Sequence, residues 1–417
     1  MKSLNPPPQL KPPWSVRHWL LVLGLVLVVR IGYCWFTPHE LTADPDGYRQ
    51  LAQNLLVHGV YGEGSEPTAY RPPLYPFMIH LCLWAPISSS LAIGLLHILT
   101  GMLTILLVVH LSRQSLGNRA SITAGILLVC DPILVYHSTQ VMSETLASCC
   151  AAVCLCCLFT AHRQPRLMSF TAAGVSLGAA SLCRPHFLAW TVLMIIFLAS
   201  NAVRKRTTWH PCFAMFLGCG LVLTPWVLRN QAHWSRPIIT TTHGGYTLLL
   251  GNNQSFYDYL RQRDWGETWD SAGTIPPRSS SPDELAYDRM CYQEAWSAIQ
   301  AAPKMAAWSS LVKMTRLWGL VPQFAGNQEN KEPVESATVR VSVGIWYGVL
   351  YVLALIGLWS LRKQIFTEPW VWIVLMCFTW TMIHAVYWSN MRMRAPLLPG
   401  IVLLAAAGCH ELWRRKT

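Results

Sequence analysis

The segment at residues 42–77 has the sequence TADPDGYRQLAQNLLVHGVYGEGSEPTAYRPPLYPF, which is polar and charged between long apolar stretches. Asp44 followed by Pro45 predicts a helix start, because aspartate caps helix N-termini and proline suits the first helical position. The apolar stripe after it ends at Gly59, as helices often do. A helix of about three turns is too short to cross a bilayer, so we expect it to lie on the membrane surface.

The remainder of the chain is strongly apolar. Its 417 residues are 53% hydrophobic and 12% charged, with a mean hydropathy of +0.32, whereas about 25% charged residues is usual for soluble domains. This composition predicts an all-α, polytopic integral membrane protein, and runs of roughly 20 apolar residues mark its transmembrane helices. We expect ten spans, near residues 16–36, 88–111, 119–137, 141–160, 168–183, 186–201, 210–228, 341–361, 370–389 and 395–412.

The distribution of basic residues predicts the orientation of these spans. Lys and Arg concentrate at alternate span ends, including residues 204–206 and 414–416, and cytoplasmic loops retain such residues, so the N-terminus is expected inside. Counting the short apolar segment 74–86 as a crossing would put both basic clusters outside. We therefore interpret 74–86 as an interfacial or partly inserted helix. The net charge of +12 then reflects topology, and no nucleic-acid partner is expected.

The expected spans divide the chain into three parts. These are an N-terminal transmembrane catalytic module at 1–228 with its first outer loop at 37–87, an extracytoplasmic loop at 229–340, and C-terminal transmembrane helices at 341–417. Within the large loop, Ser281-Pro282-Asp283-Glu284 matches a capping box that opens a helix. Residues 305–320 have the pattern of an amphipathic helix on the membrane surface.

Charged residues at span ends are the functional candidates, because a charge near mid-membrane costs about 2.5–3.5 kcal/mol even on a lenient scale. The predicted topology brings a set from distant parts of the chain to the outer face. Its members are Asp44, Asp46, Arg71, Asp131, Glu144, Arg184, Arg229, His384, Arg392 and Arg394. Arginines at this depth suit phosphate, which they bind bidentately and without losing their charge.

Each candidate also has a structural alternative. Asp44 and Glu144 could each satisfy a helix N-terminus, and for Asp131, which precedes a proline, a cap at a helix break is favoured. Asp46 could complement a helix dipole or, as part of Asp-x-Asp, bind a divalent cation. The arginines could contact lipid headgroups.

The order of motifs along the chain resembles the membrane glycosyltransferases of the C-type fold. The motifs are Asp44-x-x-x-Tyr48, Arg71-Pro72-Pro73-Leu74-Tyr75-Pro76, Ser143-Glu144, Arg184-Pro185, Thr224-Pro225-Trp226-Val227-Leu228-Arg229-Asn230 and Arg394-Ala395-Pro396-Leu397-Leu398-Pro399. The resemblance runs from about residue 16 to 412. It is to glycosyltransferase family 39, the group of protein mannosyltransferases and lipid A aminoarabinose transferases.

This resemblance implies an inverting transfer of a sugar from a polyprenyl-phosphate donor to a lipid, glycan or protein acceptor. Asp44 matches the proposed general base of the family, and Glu144 matches a second catalytic acidic position. Arg71, Arg184 and Arg394 match basic positions near the carrier phosphate, with Arg392 beside them. Asp46, Tyr48 and Tyr75 are the expected substrate-positioning residues. The membrane implied is the bacterial cytoplasmic membrane, with the active site on the extracytoplasmic face.

The chain departs from the family pattern in two respects. Many relatives have adjacent Asp-Glu after the first span, where this chain has Asp44-Pro45-Asp46. The large C-terminal extracytoplasmic domain of some relatives is also missing, so acceptor recognition is expected from the loops. No cofactor is implied with certainty, and a divalent cation stays open. The alternative class is a lipid-linked sugar flippase or secondary transporter, although these usually show repeated halves with broken helices at midplane.

Overall fold

The computed structural model describes residues 24–33, 40–206, 208–262, 269, 275, 276, 278, 283–321 and 337–415. Its regular structure is almost entirely helical. The helices are α1 Gly24–Tyr33, α2 Tyr48–His58, α3 Leu74–Cys82, α4 Ser89–Leu116, α5 Asn118–Val129, α6 Pro132–Tyr136, α7 Glu144–Arg163, α8 Leu167–Cys183, α9 His186–Lys205, α10 His210–Trp234, α11 Gly244–Gly251, α12 Gln254–Gln262, α13 Glu284–Ala301, α14 Pro303–Leu317, α15 Ala337–Ser360, α16 Val371–Val386 and α17 Leu398–Arg414. Short 3-10 helices lie at Glu40–Thr42, His137–Thr139 and Met391–Leu397. The strands β1 Gly62–Glu63 and β2 Glu66–Pro67 pair antiparallel, with Gly62 opposite Pro67.

Long apolar helices confirm the multi-pass membrane class. In the described part of the chain, six helical segments are long and apolar enough to cross a membrane: α4, α7, α9, α10, α15 and the segment Met391–Arg414 that ends in α17. The bent pair α5 and α6, extended to Thr139, would make a seventh. The shorter apolar helices α1, α8 and α16 lie at the remaining expected spans. The exact count of ten crossings stays a prediction.

The expected span at 119–137 is bent by 50° between α5 and α6. Asp131 is the N-cap of α6, and its Oδ1 accepts a hydrogen bond from the backbone N–H of Leu134 at 3.0 Å. Pro132 begins the new helix, and a proline cannot continue the previous one without losing a backbone hydrogen bond. The favoured role of Asp131 as a cap at a helix break is therefore seen in the structure.

Glycines allow two helix pairs to pack at backbone contact. A Cβ on Gly174 of α8 would lie 2.2 Å from the carbonyl oxygen of Met215 on α10. A Cβ on Gly357 of α15 would lie 1.9 Å from that of Leu404 on α17, and one on Gly408 would lie 2.0 Å from that of Leu353. Close approach through small residues is a common way for helices to associate in a membrane.

We predict that Gly357→Ala lowers the thermal stability of the purified protein, because its methyl group forces α15 and α17 apart. Overpacking of this kind costs about 1–3 kcal/mol. Gly348→Ala on the same helix is the matched control, since a Cβ there meets nothing within 4 Å. Thermal unfolding in detergent is the measurement, and equal midpoints for the two variants would contradict the proposed backbone contact.

Helix α10 continues beyond the boundary expected at residue 228. It ends at Trp234, with Pro225 inside it. The guanidinium of Arg229 donates to the backbone carbonyls of Tyr61 and Thr68 at 2.8 and 2.9 Å and lies 4.9 Å from the ring centroid of Trp226. These contacts attach the last turns of α10 to the first outer loop, so the transmembrane helix and the expected loop 229–340 overlap.

The outer helices dock onto the same first loop. Helix α13 begins with Asp283 as its N-cap, which accepts from the N–H of Leu285 at 2.9 Å, whereas Ser281 of the expected capping box lies outside the described residues. Glu284 does not fold back on its own helix. It accepts from the hydroxyl of Thr68 at 2.6 Å and from the N–H of Ala69 at 2.9 Å. Helices α3 and α14 form where short interfacial helices were expected.

Candidate active site

Helix α2 begins later than the sequence predicted. Gly47 is its N-cap, with a left-handed φ of 71°, and Tyr48 is its first residue. Asp44 is therefore not the N-cap, but its Oδ2 accepts from the backbone N–H of Gln50 at 3.0 Å. Its Oδ1 is buried and has no hydrogen-bond partner among the described residues. One oxygen anchors the carboxylate to the helix, and the other is an unsatisfied acceptor.

Arg71 lies later in the first outer loop, directly before Pro72 and Pro73, and α3 begins at Leu74 after them. Its Nη2 donates to Oδ1 of Asp46 at 3.0 Å, and its Nη1 donates to Nε2 of His243 at 3.3 Å. The guanidinium carbon lies 5.6 Å from the ring centroid of Tyr48 and 5.4 Å from that of Tyr70. Arg71 is thus held by hydrogen bonds at its edge and by aromatic rings at its faces.

A second group of charges gathers where α7 begins and α8 ends. Oε1 of Glu144 lies 2.7 Å from Nη2 of Arg184 and 3.7 Å from Nε of Arg392. Arg392 in turn lies 3.8 Å from Oδ2 of Asp46. Glu144 at the first turn of α7 and Arg184 after the last turn of α8 each have the sign that complements the helix dipole.

These contacts join five side chains in one alternating row, Arg71–Asp46–Arg392–Glu144–Arg184. With three guanidinium groups and two carboxylates, the row has a formal charge of +1. Each arginine has five N–H donors in a planar fork. The row therefore suits an anion with several oxygens, such as a phosphate.

Two tyrosines of the expected substrate-positioning set lie in contact beside this row. Burial raises the pKa of Tyr48 and Arg71 opposes that shift, with smaller effects from Asp46, Arg184 and Glu144. Tyr75 is fully buried, and its hydroxyl lies 2.8 Å from Nε2 of His97. Its ring packs edge-to-face on Tyr48 at 5.1 Å. Tyr75 thus packs against the ring of Tyr48 and restricts its position.

The carboxylate of Asp44 and that of Glu144 both influence Tyr75. Burial is the main cause that raises the pKa of Tyr75 well above its ordinary value, and Tyr48, Glu144 and Asp44 each add to it. Both carboxylates therefore act electrostatically on Tyr75. Of the two, Glu144 is the one that makes ion pairs with residues that the structure describes.

The structure separates Arg394 from Arg392. Arg394 is fully buried, and its Nη1 donates to the backbone carbonyl of Gly319 at 2.5 Å and lies 2.7 Å from the hydroxyl of Tyr351. Its guanidinium carbon lies 3.8 Å from the ring centroid of Tyr347. Both arginines belong to the 3-10 helix Met391–Leu397, in which residues two apart face different directions. Arg394 therefore holds α14 and α15 together, and we leave it out of the phosphate site.

His243 is a site residue that the sequence analysis missed. It immediately precedes α11 and lies 172 positions from Arg71 in the chain, and no motif connects the two. Ser143 was part of a quoted motif, but its contact was unforeseen: its hydroxyl accepts from Nε of Arg184 at 3.1 Å.

The expected option of a divalent cation gains no support from the side chains. Within the described ranges, no three His, Cys, Asp or Glu residues come close enough together to hold a metal ion. Asp44 and Asp46 direct their paired oxygens to a backbone N–H and to two arginines instead.

Comparisons with known proteins agree with this architecture. A family model described as dolichyl-phosphate-mannose-protein mannosyltransferase matches residues 70–228, which include Arg71, Glu144 and Arg184. A sequence comparison with curated proteins found no match.

Solved structures share the fold over nearly the whole chain. The oligosaccharyltransferase AglB from Archaeoglobus fulgidus, in complex with an inhibitory peptide and a dolichol-phosphate, matches with a TM-score of 0.57 and 14% identity over 96% of this chain and 50% of the archaeal chain. The apo form of the A. fulgidus oligosaccharyltransferase gives 0.56 and 14%, with 96% and 51% coverage. ArnT from Cupriavidus metallidurans bound to undecaprenyl phosphate matches at 0.44 and 14%, over 95% and 79%.

The chain spans about half the length of the archaeal enzymes. At this level of identity the match shows the fold, and it confirms the fold that the ordered motifs implied. The chain is therefore a membrane protein with the C-type glycosyltransferase fold, and its residues 70–228 match the mannosyltransferase family.

Proposed function

We propose that the chain is an inverting glycosyltransferase that moves a hexosyl or pentosyl group from a polyprenyl-phosphate donor to an acceptor. The observation that carries the proposal is the row Arg71–Asp46–Arg392–Glu144–Arg184, which begins two residues from the unsatisfied carboxylate oxygen of Asp44 in the chain. The membrane fold and the family match support a lipid-linked donor, and the similar archaeal structure holds a dolichol-phosphate.

In the proposed reaction, an acceptor hydroxyl attacks the anomeric carbon from the side opposite the phosphate. The bond from the anomeric carbon to the phosphate oxygen breaks, and polyprenyl phosphate leaves with that electron pair. The hydroxyl proton passes to Oδ1 of Asp44, because an unassisted hydroxyl is too weak a nucleophile. A single displacement of this kind inverts the anomeric configuration.

The arginines act on the leaving group. Arg71, Arg184 and Arg392 would hold the phosphate, whose charge grows as the bond breaks, so they stabilise the transition state more than the ground state. Glu144 is 1% exposed between two of these arginines. We therefore assign it the role of positioning them, and we assign proton transfer to Asp44 alone.

The acceptor and the side of the membrane follow from the surroundings of the row. The first outer loop and helices α11 and α13 are joined by Glu284 and His243, so they form the surface from which a lipid, glycan or protein acceptor would approach. The positive-inside distribution of Lys and Arg supports an extracytoplasmic site. A bacterial cytoplasmic membrane is the proposed location.

A transfer assay in sealed vesicles tests both the reaction and its side. Polyprenyl-phosphate mannose and polyprenyl-phosphate aminoarabinose, each labelled in the sugar, are supplied with envelope material as acceptor. We expect free polyprenyl phosphate and label in the acceptor, only when the acceptor is added to the extracytoplasmic side. Translocation of the intact lipid without loss of its sugar would instead identify a flippase.

A further inference from the structure

We propose that His243 is a positioning residue that fixes the guanidinium of Arg71 by accepting a hydrogen bond from it. Nη1 of Arg71 lies 3.3 Å from Nε2 of His243. An arginine only donates, so Nε2 must be the unprotonated nitrogen, and the ring proton must lie on Nδ1. The contact between two parts of the chain 172 residues apart thus selects one tautomer of the ring.

The other ring nitrogen, Nδ1, makes no contact with the described residues that competes with the one to Arg71. Nδ1 of His243 is buried and has no hydrogen-bond partner in the described part of the chain. Buried polar groups are normally satisfied, and a histidine that served only to cap or crosslink the outer helices would use this nitrogen too. Among the residues that the structure describes, the polar contact of the ring is the one to Arg71.

The imidazole is held in place by aromatic rings and by the outer helices. Tyr70 packs edge-to-face on it at 4.4 Å and Tyr246 stacks on it at 5.1 Å. Its neighbours are anchored as well: the N–H of Thr242 donates to Ala69 and the N–H of Gly245 donates to Asp288, at 3.1 and 2.7 Å. A ring held this firmly restricts the arginine that it contacts.

The ring remains neutral, as an acceptor for an arginine must. Burial and the nearby positive charge of Arg71 hold the pKa of His243 well below its ordinary value. Together with Asp46 on Nη2, the neutral imidazole on Nη1 orients the guanidinium plane. The oriented guanidinium belongs to the row that, on the proposed function, receives the carrier phosphate.

The test compares His243→Phe, which keeps an aromatic ring but removes the acceptor, with His243→Gln, whose amide oxygen can replace Nε2. The first measurement is the rate at which phenylglyoxal modifies Arg71, followed by peptide mass spectrometry with Arg392 as internal reference. We expect Arg71 to react several-fold faster in His243→Phe and at the wild-type rate in His243→Gln. His233→Phe, at an exposed histidine on α10, is the control for the substitution itself.

The second measurement is the binding of polyprenyl phosphate to the same detergent-solubilised variants. We expect the Kd to rise about tenfold in His243→Phe, the range for losing a hydrogen bond to a charged group, and to stay within about twofold in His243→Gln. Unchanged reactivity of Arg71 in His243→Phe overturns the positioning role, whether or not polyprenyl phosphate binding changes. If Arg71 responds as expected but wild-type protein does not bind polyprenyl phosphate, the positioning role stands and the proposed donor site fails.

Discussion

Asp44→Asn is expected to reduce sugar transfer by at least about a hundredfold, the lower range for losing a general base. Asparagine retains a side-chain oxygen that can accept from the N–H of Gln50, as Oδ2 of Asp44 does, so helix α2 should still form. What is lost is the basic carboxylate oxygen that has no partner among the described residues. The measurement is transfer of labelled sugar by purified protein at saturating donor.

A matched control separates the chemical role of Asp44 from its structural one. Asp283→Asn makes the same substitution at an N-cap on α13, where the aspartate also accepts a backbone N–H. We expect both variants to unfold at the wild-type temperature and only Asp44→Asn to lose activity. Near-wild-type transfer by well-folded Asp44→Asn protein would leave Asp44 with a structural role alone.

Arg184→Ala is expected to affect both stability and donor binding. The side chain of Glu144 is 1% exposed and lies 2.7 Å from Arg184, and removing one partner of a buried pair costs about 3–5 kcal/mol because it leaves the other charge uncompensated. Arg392, at 3.7 Å from Glu144, would keep the loss near the lower end of this range. Loss of a charge-assisted bond to phosphate should also weaken polyprenyl phosphate binding by at least about tenfold.

The double variant Arg184→Ala with Glu144→Gln distinguishes the two effects. Glutamine removes the stranded charge, so we expect thermal stability to recover most of its loss while carrier binding stays weak. Arg414→Ala is the control, since Arg414 is 70% exposed and pairs with Glu411 on its own helix, away from the row. If the double variant binds polyprenyl phosphate as tightly as the parent, Arg184 is a partner for Glu144 and not a ligand for the carrier.

Much of the fold could be predicted because its signals are local in the chain. A run of apolar residues must span or be buried wherever it lies, since exposed backbone and charges are costly in lipid. The same locality applies to the break at Asp131-Pro132 and to the short α3 after the prolines, both of which depend on backbone chemistry within a few residues. Predicted element ends were less secure, as α10 shows by continuing to Trp234.

The candidate site was only partly predictable. Asp44, Arg71, Glu144 and Arg184 could be chosen from the sequence because charges at span ends are rare and the topology sends them to one face. Which of them would pair was not visible, since an ion pair depends on which helix ends meet in space. The structure alone shows that Glu144 lies between two arginines while Asp44 keeps an oxygen unpaired.

Arg392 and Arg394 show most clearly which features the sequence predicts and which depend on tertiary contacts. Both were expected at the phosphate, Arg394 because it matches a basic position of the family and Arg392 because it lies beside Arg394. The 3-10 turn directs one to Asp46 and Glu144 and the other to Gly319 and Tyr351. The sequence by itself determined the membrane class, the order of helices and the short list of charged candidates, since these follow from composition and local pattern. Only the tertiary structure decided which of these charged side chains meet and that His243 contacts Arg71, because helical phase and long-range packing set the contacts.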